Sequence, residues 1–450
     1  IWDEMIECAH ASAAPGLLFW DTAKRLTPSD IYEKEGFGST STNPCGEIIL
    51  SPYDSCRLMV VNLYSFVQEP FTESACFDYE KFGEVVQKAQ RLMDDMIDIE
   101  IEQVDKILEK IDKDPEPDEV KAIEKNMWNN VQTMAHLGRR TGLGVTAVGD
   151  ALAALGIRYG SDESIETVEK FYQTLAVNAY RSSCILAKER GAFPAHNHDK
   201  ERGHEFLERI WEAAPDVYEM SRKYGRRNIA LTTTAPAGSV SVLTQTTSGI
   251  EPAYLLKYMR RKKLTENDLD GRVDFVDDSG DRWQEYDVYH HGFKKWMDVS
   301  GKTEMKQSPY WKATSNDIDW VAKVKVQAAA QKWVCHAISN TTNLPADVDV
   351  ETVKKVYLTG WKSGCKGVTV YRDGSRAGVL VTKRSDVFKT QEAPPRPDSL
   401  ECSIHHATIK GEAWTILVGL LDDRPYEVMG GLQNYLEIPK RYKKGEIIKH

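Results

Sequence analysis

Apolar positions recur with helical spacing over residues 82–111. Phe82, Val85, Val86, Ala89, Leu92, Met93, Met96 and Ile97 share one face, and Ile101, Val104, Ile107, Leu108 and Ile111 extend it. Asp114-Pro115-Glu116-Pro117 ends this helix, because proline lacks an N–H and clashes with the turn before it. Val120, Ile123, Met127, Val131, Met134 and Leu137 mark a second helix, and Gly138 to Gly144 reads as a turn. Further helices are expected over 147–155, 165–189, 321–338 and 353–363. Strand signals lie at Asn228–Thr234 and Gly367–Tyr371, and the run Leu58–Gln68 suits a strand or a buried turn. Residues 1–42 read as a short helix and then a loop.

Helices separated by short strands imply α/β units with a mostly parallel sheet, with too few strands for a closed barrel. The charged stretch 260–310 reads as a surface excursion. Residues 377–397, ending in Glu392-Ala-Pro-Pro-Arg-Pro397, read as a stiff linker. Beyond it, Cys402–Leu421 alternates in polarity, so 398–450 is expected to be a small β-rich domain.

Net charge is −10, which argues against a partner recognised through a phosphate backbone, so no nucleic-acid polymer is expected. No run of 18 apolar residues exists, so no membrane span is expected. The eight cysteines include no CxxC pair, which argues against a structural zinc site, and their sparseness fits a reducing cytoplasm. The chain shows no signal-peptide pattern and starts at Ile1 within an amphipathic helical pattern. A piece of a longer polypeptide, or one chain of a split protein, is the expectation.

The densest chemistry is Asn43-Pro44-Cys45-Gly46-Glu47. In an extended loop Asn43, Cys45 and Glu47 would share a face, placing an amide, a thiol and a carboxylate together. A turn with a buried cysteine fits the same spacing equally well. A carboxylate is a poor activator of a thiolate, since its charge raises the thiol pKa. The trio therefore suits a thiol that acts as a radical, with Glu47 as base toward a substrate hydroxyl. Cys56, eleven residues on, is a candidate redox thiol. A second motif, Ala235-Pro236-Ala237-Gly238-Ser239-Val240-Ser241, follows a strand signal and precedes Ser248-Gly-Ile-Glu-Pro252. Backbone N–H groups and hydroxyls there suit a phosphate, although an ordinary strand-to-helix turn has the same composition.

Asn43–Glu47 with Ser51-Pro-Tyr-Asp-Ser-Cys56 resembles the finger loop of ribonucleotide reductases. Ala235–Ser241 with Ser248–Pro252 resembles their substrate phosphate loop. Ile338-Ser-Asn-Thr-Thr-Asn-Leu-Pro345 and Gly364-Cys-Lys-Gly-Val-Thr-Val-Tyr-Arg-Asp-Gly-Ser-Arg376 are similar to the closing strands of that family's barrel. The motifs stand in family order across residues 1–376, and Arg396 to Val428 is similar to the small C-terminal domain of the adenosylcobalamin-dependent branch.

The resemblance implies an α/β fold: the second half of a ten-stranded α/β barrel with a central finger loop at 39–57, plus a small C-terminal β-rich domain. It implies that Cys45 is the thiyl-radical cysteine acting on the ribose 3′ hydrogen, Glu47 the base for the 3′ hydroxyl, and Asn43 the amide holding a substrate hydroxyl. Cys56 corresponds to one of two thiols that reduce the 2′ position and end as a disulfide, its partner lying in an N-terminal half outside this chain. The substrate is then a ribonucleotide, the cofactor adenosylcobalamin, the electron donor a thioredoxin-like reductant, and a homodimer the expected full enzyme. No metal ligand is read from these residues.

Glu47 and the absence of a C-terminal glycyl-radical loop argue against the glycyl-radical branch. The short Cys45–Cys56 spacing and the lack of a Tyr-Tyr pair argue against the oxygen-dependent branch. Two other readings stay open: the catalytic chain of the oxygen-dependent enzyme, and a non-catalytic assembly subunit. Ala237 replaces a common hydroxyl residue, Arg57-Leu-Met-Val-Val61 is bulkier than the usual run, and no cysteine pair closes the chain.

Overall fold

The computed structural model describes residues 1–264, 272–276, 282–375, 396–409, 411–436 and 438–449. They belong to two compact units, Ile1–Thr382 and Lys383–His450.

In the first unit, Leu58–Asn62 pairs in parallel with Gly142–Thr146. Leu143 then bridges in parallel to Thr232, and Thr234 bridges in parallel to Ile338. The Ile338 segment runs on into Thr341–Leu344, which pairs in parallel with Gly367–Arg372. Five parallel segments are thus aligned in chain order among the described residues, and every crossover between them carries at least one helix, as parallel pairing demands. Leu17–Leu18 adds an antiparallel edge on Gly367–Arg372.

All five residues of Gly142–Thr146 are buried, as expected of a central parallel strand covered on both faces. The Gly138–Gly144 run is therefore no turn. A Cβ on Gly144 would lie 2.6 Å from the Thr233 carbonyl oxygen, so glycine here permits close approach of strands. Helices Tyr79–Lys113 and Asp162–Arg190 pack on this region through Phe82, Val86, Met93, Val168, Phe171 and Leu175, all buried.

Several expectations shift. The loop before Thr42 contains helix Trp20–Leu26 and 3-10 helix Pro28–Glu35, seated by buried Ala23, Leu26 and Tyr32. The helix expected to reach Ile338 stops at Gln331, and Ile338 instead bridges to Thr234 in the sheet. Leu92, Met96, Ile123 and Met127, part of the apolar pattern that marked the two helices, are exposed on the long helical hairpin Tyr79–Lys113 and Asp118–Gly138. The charged excursion holds a three-stranded antiparallel sheet, Lys257–Lys263, Arg282–Tyr289 and Phe275–Val276. Its later part is not peripheral, because Phe293, Trp296 and Tyr310 pack with Ala153, Ala253 and Leu256. The linker expected over 377–397 lies outside the described residues, apart from Arg396 and Pro397.

The second unit is an antiparallel four-stranded sheet, in the order Arg424–Leu432, Glu412–Leu421, Ser399–Ile409, Lys444–Ile448. Leu400, Cys402 and Ile404 alternate into its buried face. Asp422 and Asp423, both at positive φ, form the two-residue turn between its first two neighbours, a geometry that matches strand twist. Among the described residues, no helix is long and apolar enough to cross a membrane.

Candidate active site

The Asn43–Glu47 motif sits at the tip of a hairpin whose arms, Ser41–Thr42 and Ile49–Leu50, pair antiparallel. The tip is not extended. Gly46 N–H donates to Asn43 O (3.0 Å), closing a turn with Pro44 at its second position and Gly46, at φ 78°, at its fourth. The period-2 argument for a shared face therefore fails, and a turn does the converging. It leaves Cys45 exposed and turns Glu47 inward, 1% exposed.

Glu47 is fixed by its backbone. Its carbonyl oxygen accepts from Thr233 Oγ1 (2.8 Å) and from Ala337 N–H (2.9 Å), so the hairpin is pinned where the third and fourth parallel segments meet. Its side chain is left free for chemistry: Oε2 is buried with no hydrogen-bond partner among the described residues. An unmet buried carboxylate oxygen is costly, and a ligand hydroxyl would satisfy it.

Asn43 links the tip to the second thiol. Its Oδ1 accepts from Ile48 N–H (3.0 Å), and its Nδ2 donates to Cys56 Sγ (3.4 Å). Cys56 is half-buried and Cys45 exposed, both as free thiols. Burial, and after it the Glu47 carboxylate, pushes the Cys56 thiol up to about 11, against the lowering effect of the Asn43 hydrogen bond. The same two causes raise Cys45. Both cysteines are held as neutral thiols at physiological pH, which suits hydrogen-atom chemistry better than ionic nucleophilic attack.

Residues outside the motifs hold this arrangement. Arg140, at the mouth of the central strand, is 1% exposed. It donates through Nε to Asp54 Oδ2 (2.6 Å), through Nη1 to Ile49 O (2.9 Å) and through Nη2 to Ser51 Oγ (3.3 Å). Arg57 forks onto Glu100 of the long helix and also reaches Arg140 O (3.0 Å). Both sides of Cys56 are thereby tied to the barrel wall. Thr233, Arg140 and the Arg57–Glu100 pair escaped sequence reasoning; the paired arginines between glycines and the triple threonine were the available signals.

The Ala235–Ser241 loop begins one residue after Thr234, on the segment that holds Glu47. It opens helix Gly238–Thr244, with Gly238, Ser239 and Val240 exposed and Ala235, Ala237 and Ser241 buried. Gly249 of the Ser248–Pro252 motif packs against it: a Cβ there would lie 2.7 Å from Ala235 O. The loop thus stands at the carboxyl end of a parallel segment, where α/β sheets bind ligands.

Residues 1–371 match the family model "Ribonucleotide reductase, barrel domain". The chain belongs to the ribonucleotide reductase barrel family. Residues 400–450 of this family member match a second model, "NrdJ homologue C-terminal domain". The chain is 31% identical over 390 residues to a vitamin B12-dependent ribonucleoside-diphosphate reductase of Mycobacterium tuberculosis, covering 85% of this chain and 48% of the relative. It is 30% identical over 400 residues to a protein with the same description from Thermoplasma acidophilum, covering 87% and 44%. It spans about half the length of the curated relatives it matches. The alpha subunit of the Actinobacillus ureae class Id ribonucleotide reductase shares the fold, with TM-score 0.54 and 18% identity over 83% of this chain and 61% of that one. The expected α/β reductase-barrel architecture is confirmed.

Proposed function

We propose that this chain carries the thiyl-radical half of a ribonucleotide reductase active site, converting a ribonucleotide to its 2′-deoxyribonucleotide. The observation that carries the reading is Glu47: a buried carboxylate with one oxygen unmet, beside one exposed and one half-buried thiol.

In this reading, the Cys45 sulfur as a radical takes the ribose 3′ hydrogen atom, and Glu47 accepts the 3′ hydroxyl proton. Asn43 keeps one amide hydrogen beyond the one given to Cys56, and that hydrogen holds a substrate hydroxyl. The 2′ hydroxyl leaves as water. Two thiols supply the two hydrogens and two electrons, and they end as a disulfide. Cys56 is one of them, and the other comes from the N-terminal half of the barrel, in the same polypeptide or a separate chain. The 235–241 loop holds the substrate phosphate, with backbone N–H alone at Ala237.

Both relatives named above are described as vitamin B12-dependent. Adenosylcobalamin, when bound, supplies the one-electron oxidation of the Cys45 thiol. The tip fits such an oxidant: Cys45 is exposed, and a Cβ on Gly46 would meet nothing within 4 Å, so the Pro44–Gly46 surface is open to a bulky group. A thioredoxin-like donor reduces the disulfide after each cycle, and the full enzyme is a homodimer. Residues 1–376 serve as the barrel portion, 377–397 as linker and 398–450 as a small accessory domain, in the cytoplasm.

The test is deoxyribonucleotide formation with adenosylcobalamin and dithiothreitol, using the chain together with an N-terminal barrel half. The reconstituted wild type turns over. Cys45→Ser abolishes turnover and leaves nucleotide binding in place, and turnover by that variant would exclude the radical assignment. Multiple turnovers by the chain alone would show that another of its own cysteines pairs with Cys56.

A further inference from the structure

Helix Gly238–Thr244, which the 235–241 loop opens, has little side-chain packing to hold it. Only Ser241 of its residues is buried, while Val240, Val242 and Leu243 are exposed. Its position therefore depends on its ends. The carboxyl end is fixed at Thr247, three residues past the helix and buried. Thr247 N–H donates to Asp150 Oδ2 (2.8 Å), its Oγ1 accepts from Asp150 N–H (3.1 Å), and its carbonyl oxygen accepts from Ala147 N–H (3.1 Å).

Asp150, 1% exposed, gives its other oxygen to a different part of the chain. Oδ1 accepts from Tyr310 OH (2.7 Å) and lies 2.7 Å from His290 Nε2. Both partners belong to the charged excursion. A carboxyl group this deeply buried is tolerated only when hydrogen bonds meet both oxygens. Loop and excursion thus share one group that neither can leave without cost. The approach is close: a Cβ on Gly292 would lie 2.1 Å from Tyr310 OH and 2.6 Å from Asp150 Oδ1. Tyr310 packs in turn with Phe293, Trp296 and Ala153, the last on the same helix as Asp150, Val148–Ala154.

We infer that Asp150 is a positioning residue for the 235–241 loop, and that the 290–310 part of the excursion is the brace that holds it. With Oδ1 occupied by the excursion, Oδ2 stays aimed at Thr247 N–H. The exposed helix Gly238–Thr244 is then kept where its first turn can meet a substrate phosphate. If the excursion withdraws, the carboxyl group is free to turn and the helix loses its anchor. The inference rests on the phosphate reading of that loop and adds a control on it.

Two variants probe the brace. Tyr310→Phe cuts it from Asp150 and keeps the ring in its packing. Asp150→Asn keeps the shape and sets an amide donor against one of the donors that face it. Hydrogen–deuterium exchange of the purified chain reads peptides spanning 238–247, with helix Asp162–Arg190 as internal reference. Exchange at 238–247 should quicken at least about threefold in Tyr310→Phe and about tenfold in Asp150→Asn, as for loss of buried hydrogen bonds, with the reference unchanged. In the reconstituted enzyme, with ADP as substrate, both variants should raise KM about threefold to tenfold and leave kcat nearly unchanged, because a phosphate contact is made in ground and transition state alike. Gly238→Glu, where a Cβ meets nothing within 4 Å, brings a negative charge to the loop and should raise KM without the other two. Unchanged exchange in Tyr310→Phe overturns the inference, as does a rise shared by the reference helix. Faster exchange with KM unchanged overturns it too, because Asp150 would then be structural only. No turnover by wild type, or a KM indifferent to Gly238→Glu, would remove the phosphate reading of the loop, and this inference with it.

Discussion

Asn43 Nδ2 lies 3.4 Å from Cys56 Sγ, while Oδ1 of the same amide accepts from Ile48 N–H. One side chain thus ties the tip of the finger hairpin to the thiol thirteen residues later. Asn43→Leu removes the donor that lowers the Cys56 pKa. Cys56 alkylation by iodoacetamide at pH 9, followed by mass spectrometry, should slow a few-fold, and faster labelling would show that the amide shields the sulfur instead of polarising it.

Glu47→Gln acts in the opposite direction on the same thiol. Its charge raises both Cys56 and Cys45, so its removal lowers both. Cys56 labelling at fixed pH should accelerate roughly threefold to tenfold, since each unit of pKa changes the thiolate fraction about tenfold below the pKa. In the reconstituted enzyme the same variant should lose kcat with KM nearly unchanged, the signature of a proton accepted only during reaction.

Arg140 supports the hairpin from inside the barrel wall, and its loss leaves Asp54 buried with one fewer cation. Arg140→Ala should cost about 3–5 kcal/mol, the range for breaking a buried pair from one side. Urea denaturation measures it. A cost within experimental error would mean that Arg57, 3.6 Å from Asp54, carries the pairing alone.

Lys366 is fully buried, and among the described residues its Nζ donates only to neutral oxygens, Leu26 O, Thr27 Oγ1 and Cys335 O. Burial pulls its pKa from 10.5 down to about 7. Between those values the unfolded chain holds the proton and the folded chain does not, so this group makes stability rise with pH across that window. The cost of burying the charge is full below about 7. Lys366→Met should flatten the slope of unfolding free energy between pH 7.5 and 10 by up to about 1.4 kcal/mol per unit. An unchanged slope would place the titration elsewhere.

The residue types of the site were legible in the sequence, and its geometry was not. Cys45, Glu47 and Asn43 could be named because amide, thiol and carboxylate in one short loop have few uses together. Their convergence comes from the turn closed by Gly46 N–H on Asn43 O and from Thr233 and Ala337 holding the Glu47 carbonyl, contacts that span up to 290 positions and leave no local pattern. Gly142 and Gly144 show the same limit. Glycine in a short run signals a turn locally, yet here it lets a central strand pass a neighbouring carbonyl at close range. The long helices read correctly by period, but Leu92 and Met127 are exposed, Leu92 although Ala89, Met93 and Ile97 around it are buried.

The central claim is that Cys45 removes the ribose 3′ hydrogen. The most direct measurement is the turnover rate of the reconstituted enzyme on 3′-deuterated against unlabelled ribonucleotide, with Cys45→Ser alongside. The account predicts slower turnover on the deuterated substrate and none in Cys45→Ser. Equal rates on the two substrates, together with turnover by Cys45→Ser, would contradict it.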